Sequence, residues 1–230
     1  MHLVSRLVWI LGLVVLAITG CNDVYVPPAP LELVTSTWGD VPLEGVQVCV
    51  SDPDRCDFSD ADGEVTFEVP VGQEIIYTLA KEGYDSLLFA HEVPESGMSA
   101  VRHLGTHAQM VPLFECVMSP YPRRGTGSIQ VFTGPPVEGA TFSLVDATGT
   151  TWYSLADFSC WVLDLTATTS AGDGGFVEVT PGTYQLQFGG TAERCVASAD
   201  SLPGDVENSI RVHVRADHHT VAGLSCPSSS

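Results

Sequence analysis

His103 and His107 stand four residues apart, the spacing at which two imidazoles on one helix face can hold zinc. Leu104, however, occupies the place where a zinc hydrolase of that type carries its glutamate base. If the segment is a strand, the two rings are also some 13 Å apart. His213 shares an alternation face with Arg211 and Arg215, opposite Val212 and Val214, and that face reads as solvated. His218 and His219 lie close by. Five aspartates, Asp52, Asp54, Asp57, Asp60 and Asp62, fall in one short stretch. Calcium takes hard oxygen ligands, so Asp57, Asp60 and Asp62 form the candidate metal site. Aligning Gly63 with the glycine of an EF-hand loop puts Phe58 at the first ligand position, and aspartates also build turns. The solvated-turn reading therefore carries more weight. No G-x-S-x-G elbow and no phosphate-cradling glycine loop occurs, so the sequence assigns no catalytic residue and predicts a protein that is not an enzyme.

Thr148 to Thr168 holds Trp152, Tyr153, Phe158 and Trp161. Trp and Tyr faces stack on sugars and anchor protein interfaces, so Trp152, Tyr153 and Trp161 are candidate binding residues. In the alternative, Trp161, Leu163 and Leu165 alternate inward from a strand and the rings fill a core. That core reading is favoured, because tryptophan is usually well buried.

The elements that must carry these residues are strands. Asp60-Ala61-Asp62-Gly63 reads as a hairpin turn, after which Val65, Phe67 and Val69 alternate with Glu64, Thr66 and Glu68. Pro70 ends that strand, and Glu74 to Ala80 runs back as the next. A degenerate copy follows about a hundred residues later: Gly172-Asp173-Gly174-Gly175 as turn, Phe176 to Val179, Pro181-Gly182, then Thr183 to Phe188. Pro42-Leu43-Glu44-Gly45-Val46 likewise matches Pro136-Val137-Glu138-Gly139-Ala140. Two matched segments in one order predict an internal duplication. No stretch carries a sustained helical apolar period, so the fold class expected is all-β, two tandem Greek-key β-sandwich modules.

The segments PLEGVQV, SDADGEVTFEVPVG and YTLAKEGY resemble the carboxypeptidase regulatory-like domain, a transthyretin-like (prealbumin-like) β-sandwich. The resemblance covers the first module well and the second only at the positions quoted. It implies a non-catalytic accessory or adhesive role and leaves the ligand open.

Leu7 to Ile18 is an apolar run of about a dozen residues behind Arg6, shorter than the roughly twenty a membrane span needs. Ile18-Thr19-Gly20-Cys21 is similar to the lipobox of bacterial lipoproteins. That similarity implies a cleaved signal peptide over 1–20 and lipidation of Cys21 with acyl chains such as palmitate, hence a membrane anchor. The divisions expected after it are 21–30 as lipidated cysteine and tether, 31–116 as the first sandwich and 117–127 as linker. The second sandwich then runs over 128–226 with its insertion at 148–168, and 227–230 is a tail. Arg123-Arg124 is expected to be exposed in the linker.

Removing 1–20 takes away Arg6 and no acid, leaving 8 basic against 28 acidic residues. So acidic a surface excludes nucleic acid as a partner and docking on anionic headgroups. Apart from Cys21 six cysteines remain, an even number that predicts three disulfides in an exported protein. Cys49 and Cys56 flank a short hairpin connection and should bridge it. The other four allow three connectivities; the pairing expected is Cys160 with Cys195, tying down the insertion, and Cys116 with Cys226, clasping the second module. The sequence thus describes a bacterial cell-envelope protein, lipid-anchored, the outer membrane favoured, that binds an envelope protein or polysaccharide. A purely structural spacer is the alternative, and a metal-dependent hydrolase a distant third.

Overall fold

Asp60 makes the turn on which the first repeat is built: its Oδ1 accepts hydrogen bonds from the backbone N–H of Asp62 and Glu64. Gly63 closes that turn at φ +79°, where a Cβ would fall 2.3 Å from the Thr35 carbonyl oxygen, so only glycine fits. The computed structural model describes residues 27–51 and 54–227. The expected signal peptide, the lipidation of Cys21, most of the tether, Asp52 and the tail beyond Pro227 lie outside the described residues.

The chain before Gly105 forms β1 (Ala29–Thr37), β2 (Gln47–Ser51), β3 (Asp54–Phe58), β4 (Glu64–Val69), β5 (Glu74–Ala80), β6 (Leu87–Glu92) and β7 (Met98–Leu104). A helix α1 (His107–Cys116) follows. Then come β8 (Gly127–Gly134), β9 (Ala140–Leu144), β10 (Thr150–Ser154), β11 (Trp161–Val162), β12 (Asp173–Val179) and β13 (Gly182–Gly190). After a short 3₁₀ turn at Thr191–Arg194 the chain adds β14 (Val196–Ala197), β15 (Leu202–Pro203), β16 (Ser209–Val214) and β17 (His219–Ser225).

The duplication is visible in the pairing. β1 runs antiparallel to β4 and parallel to β7; β8 runs antiparallel to β12 and parallel to β17. β5 lies between β2 and β6, as β13 lies between β9 and β16. Each half closes a sandwich on its own core. Leu31, Phe67, Tyr77 and Phe89 sit in the first, and Ile129, Phe142, Phe176 and Ile210 in the second. The halves differ in where the segment between the matched strands goes. In the first, β3 folds back on β2. In the second, β10 crosses to the other sheet and extends it beyond β12. The second repeat also starts its strand earlier than expected: Gly172 makes the turn at φ +65°, while Asp173, Gly174 and Gly175 belong to β12.

The two halves share a sheet. β17 pairs with β6 through His219 and Thr220, so one ten-stranded sheet runs across both sandwiches. The junction is further tied by Arg211 and His213, both within ion-pair distance of Glu74, and by Arg102 to Asp200 at 2.7 Å. The Arg211–His213 face is therefore turned toward the first sandwich and half-buried, not solvated.

The helix was not legible as an apolar period, because its one buried stripe, Met110, Leu113 and Phe114, is short. Its start does follow a local rule: Thr106 and Gln109 form a reciprocal capping box, with Thr106 N–H donating to Gln109 Oε1 at 2.8 Å. α1 covers the outer face of the second sandwich's sheet, where Met110, Leu113, Phe114 and Val117 pack with Trp152, Trp161 and Val177 in a third core cluster.

That docking corrects the disulfide pairing. Cys49–Cys56 spans directly opposed positions of β2 and β3, as expected. The remaining bonds are Cys116–Cys160 and Cys195–Cys226, not Cys160–Cys195 and Cys116–Cys226. Cys116 ends the helix that lies on the inserted hairpin, and Cys160 sits within that hairpin, directly before β11. Cys195 is brought beside Cys226 because β14 pairs with the end of β17.

Candidate binding site

Trp152 and Trp161, offered by their chemistry as binding residues, are 0% and 2% exposed. Their rings stack 4.0 Å apart under α1, with Phe114 5.2 Å from Trp161. Tyr153 points to the opposite face, into the second core, where its hydroxyl accepts the Phe142 N–H at 3.0 Å. The three rings are core, and the binding reading for them is corrected accordingly. Alternation along β10 sends Trp152 and Tyr153 to opposite faces, and both faces are covered.

The aspartates of the candidate calcium site serve as turn residues. Asp60 is engaged in its turn and Asp57 Oδ1 accepts the Phe58 N–H, while all three of Asp57, Asp60 and Asp62 are exposed. Among the described residues no three carboxylate, imidazole or thiol groups gather as a metal site. His103 sits near the end of β7 against Ser36, its Nδ1 2.8 Å from the hydroxyl, whereas His107 opens α1 beside Tyr121. They do not converge.

What the fold does assemble is a cavity of about 360 Å³ at the junction of the two sandwiches. Trp38 reaches it from the turn after β1, Val101 from β7, Phe132 from β8 and Phe158 from the inserted hairpin. These side chains are 47%, 53%, 38% and 51% exposed. Trp38 lies flat against Gly105, where a Cβ would meet its ring at 2.6 Å. Phe158 is held outward at φ +58° on the tip between β10 and β11. A larger hollow of about 770 Å³, around Pro136, Glu138, Arg194 and Pro227, has no aromatic ring among its lining residues. It offers less to a specific ligand.

Beneath the cavity floor runs a buried polar chain. Arg123, expected to be exposed in the linker, is 4% exposed and ion-paired with Asp85, itself 2% exposed. Only the neighbouring Arg124 is exposed. The Arg123 guanidinium lies over the Phe114 and Tyr121 rings and donates to Ser128 Oγ at 3.1 Å. Ser128 Oγ lies 2.6 Å from His219 Nδ1, and His219 Nε2 lies 2.9 Å from Gln130 Oε1. Gln130 Nε2 donates to both Asp173 oxygens, and Ser154 Oγ donates to Oδ2. Because the Gln130 amide must donate to Asp173, its oxygen accepts from His219 Nε2–H. Nδ1 is then the acceptor for Ser128, and the imidazole is neutral. Asp85, Ser128, His219, Gln130 and Asp173 are thus all partnered, Arg123 Nε alone being left without one, and the open lining is made mainly of the exposed rings and Val101, with His103 beside them.

The same burial sets a pH signature. His91 and His219 are pushed down to about 4, because desolvation disfavours the imidazolium. Asp173 is pushed up to about 7 by desolvation, against the hydrogen bonds from Ser154 and Gln130. Between pH 6.5 and 4 the unfolded chain binds two protons at these histidines that the folded chain does not, so their contribution to stability falls as pH falls. Asp173 acts oppositely: between pH 7 and 4 the folded chain holds a proton the unfolded chain has released. Asp173→Asn is therefore expected to gain on the wild type as pH rises from 5 to 7, by about 1.4 kcal/mol per unit at the limit. Urea denaturation across that range checks it; a difference independent of pH contradicts the assignment.

No family model and no curated protein matches the chain. Among solved structures it is similar to the Bacillus anthracis TIE protein, with 14% identity and a TM-score of 0.29 over 86% of this chain and 33% of that one. It is also similar to a mutant of the shaft pilin SpaA from Lactobacillus rhamnosus GG, with 10% identity and a TM-score of 0.27 over 88% of this chain and 100% of that one. A streptococcal ancillary pilin gives 12% identity and a TM-score of 0.30, covering 90% of this chain and 64% of that one. The chain spans a third of the length of the first of these. The fold and the site stand on the chain's own geometry.

Proposed function

We propose that the chain is a non-enzymatic, lipid-anchored envelope protein whose junction cavity is an extracytoplasmic binding or adhesive site for an envelope protein or polysaccharide. The observation that carries this reading is the group of half-exposed rings, Trp38, Phe132 and Phe158, around one cavity between two sandwiches. Large apolar side chains held toward solvent together mark an interaction site. Three disulfides suit an oxidising compartment, and the acidic surface suits a soluble ectodomain. In this reading Cys21 carries the anchor in a bacterial membrane, the outer one favoured, and residues 21–30 tether a first sandwich at 31–116. The linker at 117–127 then joins it to a second sandwich at 128–226.

A structural spacer is the second reading, favoured by the continuous sheet and the ion pairs that fix the junction. Thermal-shift titration of the full chain in detergent against purified envelope polysaccharides and peptides separates the two. Binding at a hundred times Kd adds about 2.7 kcal/mol, a shift of several degrees. The binding reading predicts such a shift, absent in Phe158→Ala, whose own melting temperature stays near that of the wild type. A full panel without any shift supports the spacer.

A further inference from the structure

Strand β7 is the free edge of the three-stranded sheet β4-β1-β7, and with seven residues it is the longest edge strand among the described residues. An open edge presents a row of N–H and C=O groups, and proteins usually guard such edges. β4, the opposite edge, turns Glu64, Thr66 and Glu68 outward; β3 carries Asp54, Arg55 and Asp57. β7 carries no outward acid or lysine, and its guard is a single inward-pointing charge. Its one arginine, Arg102, faces inward, bonded to the Tyr77 hydroxyl at 2.8 Å and to Asp200. Its outward positions include Ser99 and the half-exposed Val101.

The junction cavity opens on this edge. Arg102 from the inner face of β7 and Val101 and His103 from the outer face all line it, which places it beside the strand's edge and not over either face. Across it stand Phe132 and Phe158 of the second sandwich, with Trp38 at its end. The buried polar side chains in its lining, Asp85, Arg102, Gln130 and His219, are already paired, so the four exposed apolar side chains favour an apolar group. A volume of about 360 Å³ is enough for one or two side chains. Asp40 lies 3.6 Å from the lining residue His103, and Asp157 directly precedes the lining residue Phe158, on a chain whose net charge is −19.

We infer that the junction binds an extended, basic peptide segment of a partner protein, which adds as a strand to the edge of β7 and seats an apolar side chain among Trp38, Val101, Phe132 and Phe158. This rests on the reading of the junction cavity as the binding site, and names its ligand. Main-chain hydrogen bonds to β7 supply affinity, the cavity selects the anchor residue, and the acidic rim selects the charge of its flanks.

The test uses the full chain in detergent and acetylated nonapeptides of alternating Lys and Thr with Phe, Leu or Gly at the centre. Binding is followed by isothermal calorimetry and by amide exchange along β7. The Phe and Leu peptides should bind at least tenfold more tightly than the Gly peptide. N-methylation of alternate backbone amides should weaken binding at least tenfold, and Phe158→Ala should do the same while the protein stays folded. Amides of Ser99 to His103 should be protected. Equal affinity for the N-methylated peptides overturns strand addition. Polysaccharide binding that needs Phe158, with no peptide bound, overturns the inference and keeps the cavity as a site. A concentration-dependent dimer abolished by Phe158→Ala assigns the edge to a second copy and overturns it as well. No ligand of any kind at the cavity overturns both this inference and the binding reading.

Discussion

Trp152→Ala is expected to destabilise the fold by about 3–5 kcal/mol, the range for deleting a large buried aromatic side chain. Trp152 is fully buried, stacked on Trp161 and covered by α1, so removing it empties the layer between the helix and the sheet. Gly175 beneath it has no side chain to move in, and a Cβ there would already strike the Ile129 carbonyl. The cavity therefore cannot collapse. Trp152→Phe should cost much less, because the indole N–H has no hydrogen-bond partner to lose. Chemical denaturation of both variants checks this. A loss below about 1 kcal/mol for the alanine variant would mean that α1 does not dock where the structure places it.

Arg123→Met comes next, at about 3–5 kcal/mol, because it strands the buried Asp85 carboxylate. Asp85 sits where three segments meet: its N–H donates to the Gly105 carbonyl, and its carboxylate takes Arg123 and the Tyr121 hydroxyl. Adding Asp85→Leu to Arg123→Met should recover more than half of the loss, since a buried ion pair is worth little beyond an apolar pair of similar volume. Two cooperative transitions in the single variant would show that the pair holds the sandwiches together. A loss within about 0.5 kcal/mol would mean that the pair is solvated and the junction loose.

Local pattern carried the sequence reading as far as strands and turns. Val65, Phe67 and Val69 alternate inward as read, Asp60 to Gly63 turns as read, and Cys49 faces Cys56 across its hairpin. Each rests on contacts within one hairpin. The failures share one cause, the partner lying far away in sequence. Arg123 looks like a linker cation until Asp85, thirty-eight residues earlier, is brought under it. Cys116 and Cys160 pair only because a helix docks on the inserted hairpin. Trp152 and Trp161 read as core by residue type, and it is the docked helix that covers them.

The candidate site was missed for a related reason. The third tryptophan of the expected mature chain, Trp38, stands alone in a turn, far in sequence from the segment rich in aromatic residues. Its signal was a lone tryptophan in Thr37-Trp38-Gly39-Asp40, where a turn gives a large ring nothing local to pack on. Phe158 lay within the inserted segment but was not distinguished from its buried neighbours. Nothing in spacing brings Trp38 and Phe158 together; the parallel pairing of β17 with both β8 and β6 does that.

The most direct test of the junction as a ligand site is crystallographic screening of the disulfide-bonded protein with small aromatic fragments. The account predicts that fragments gather between Trp38, Val101, Phe132 and Phe158, with their rings against those side chains and the Arg123–Asp85 floor undisturbed. Fragments scattered elsewhere with this cavity empty, or a cavity closed by collapse of Trp38 onto Phe158, would contradict it.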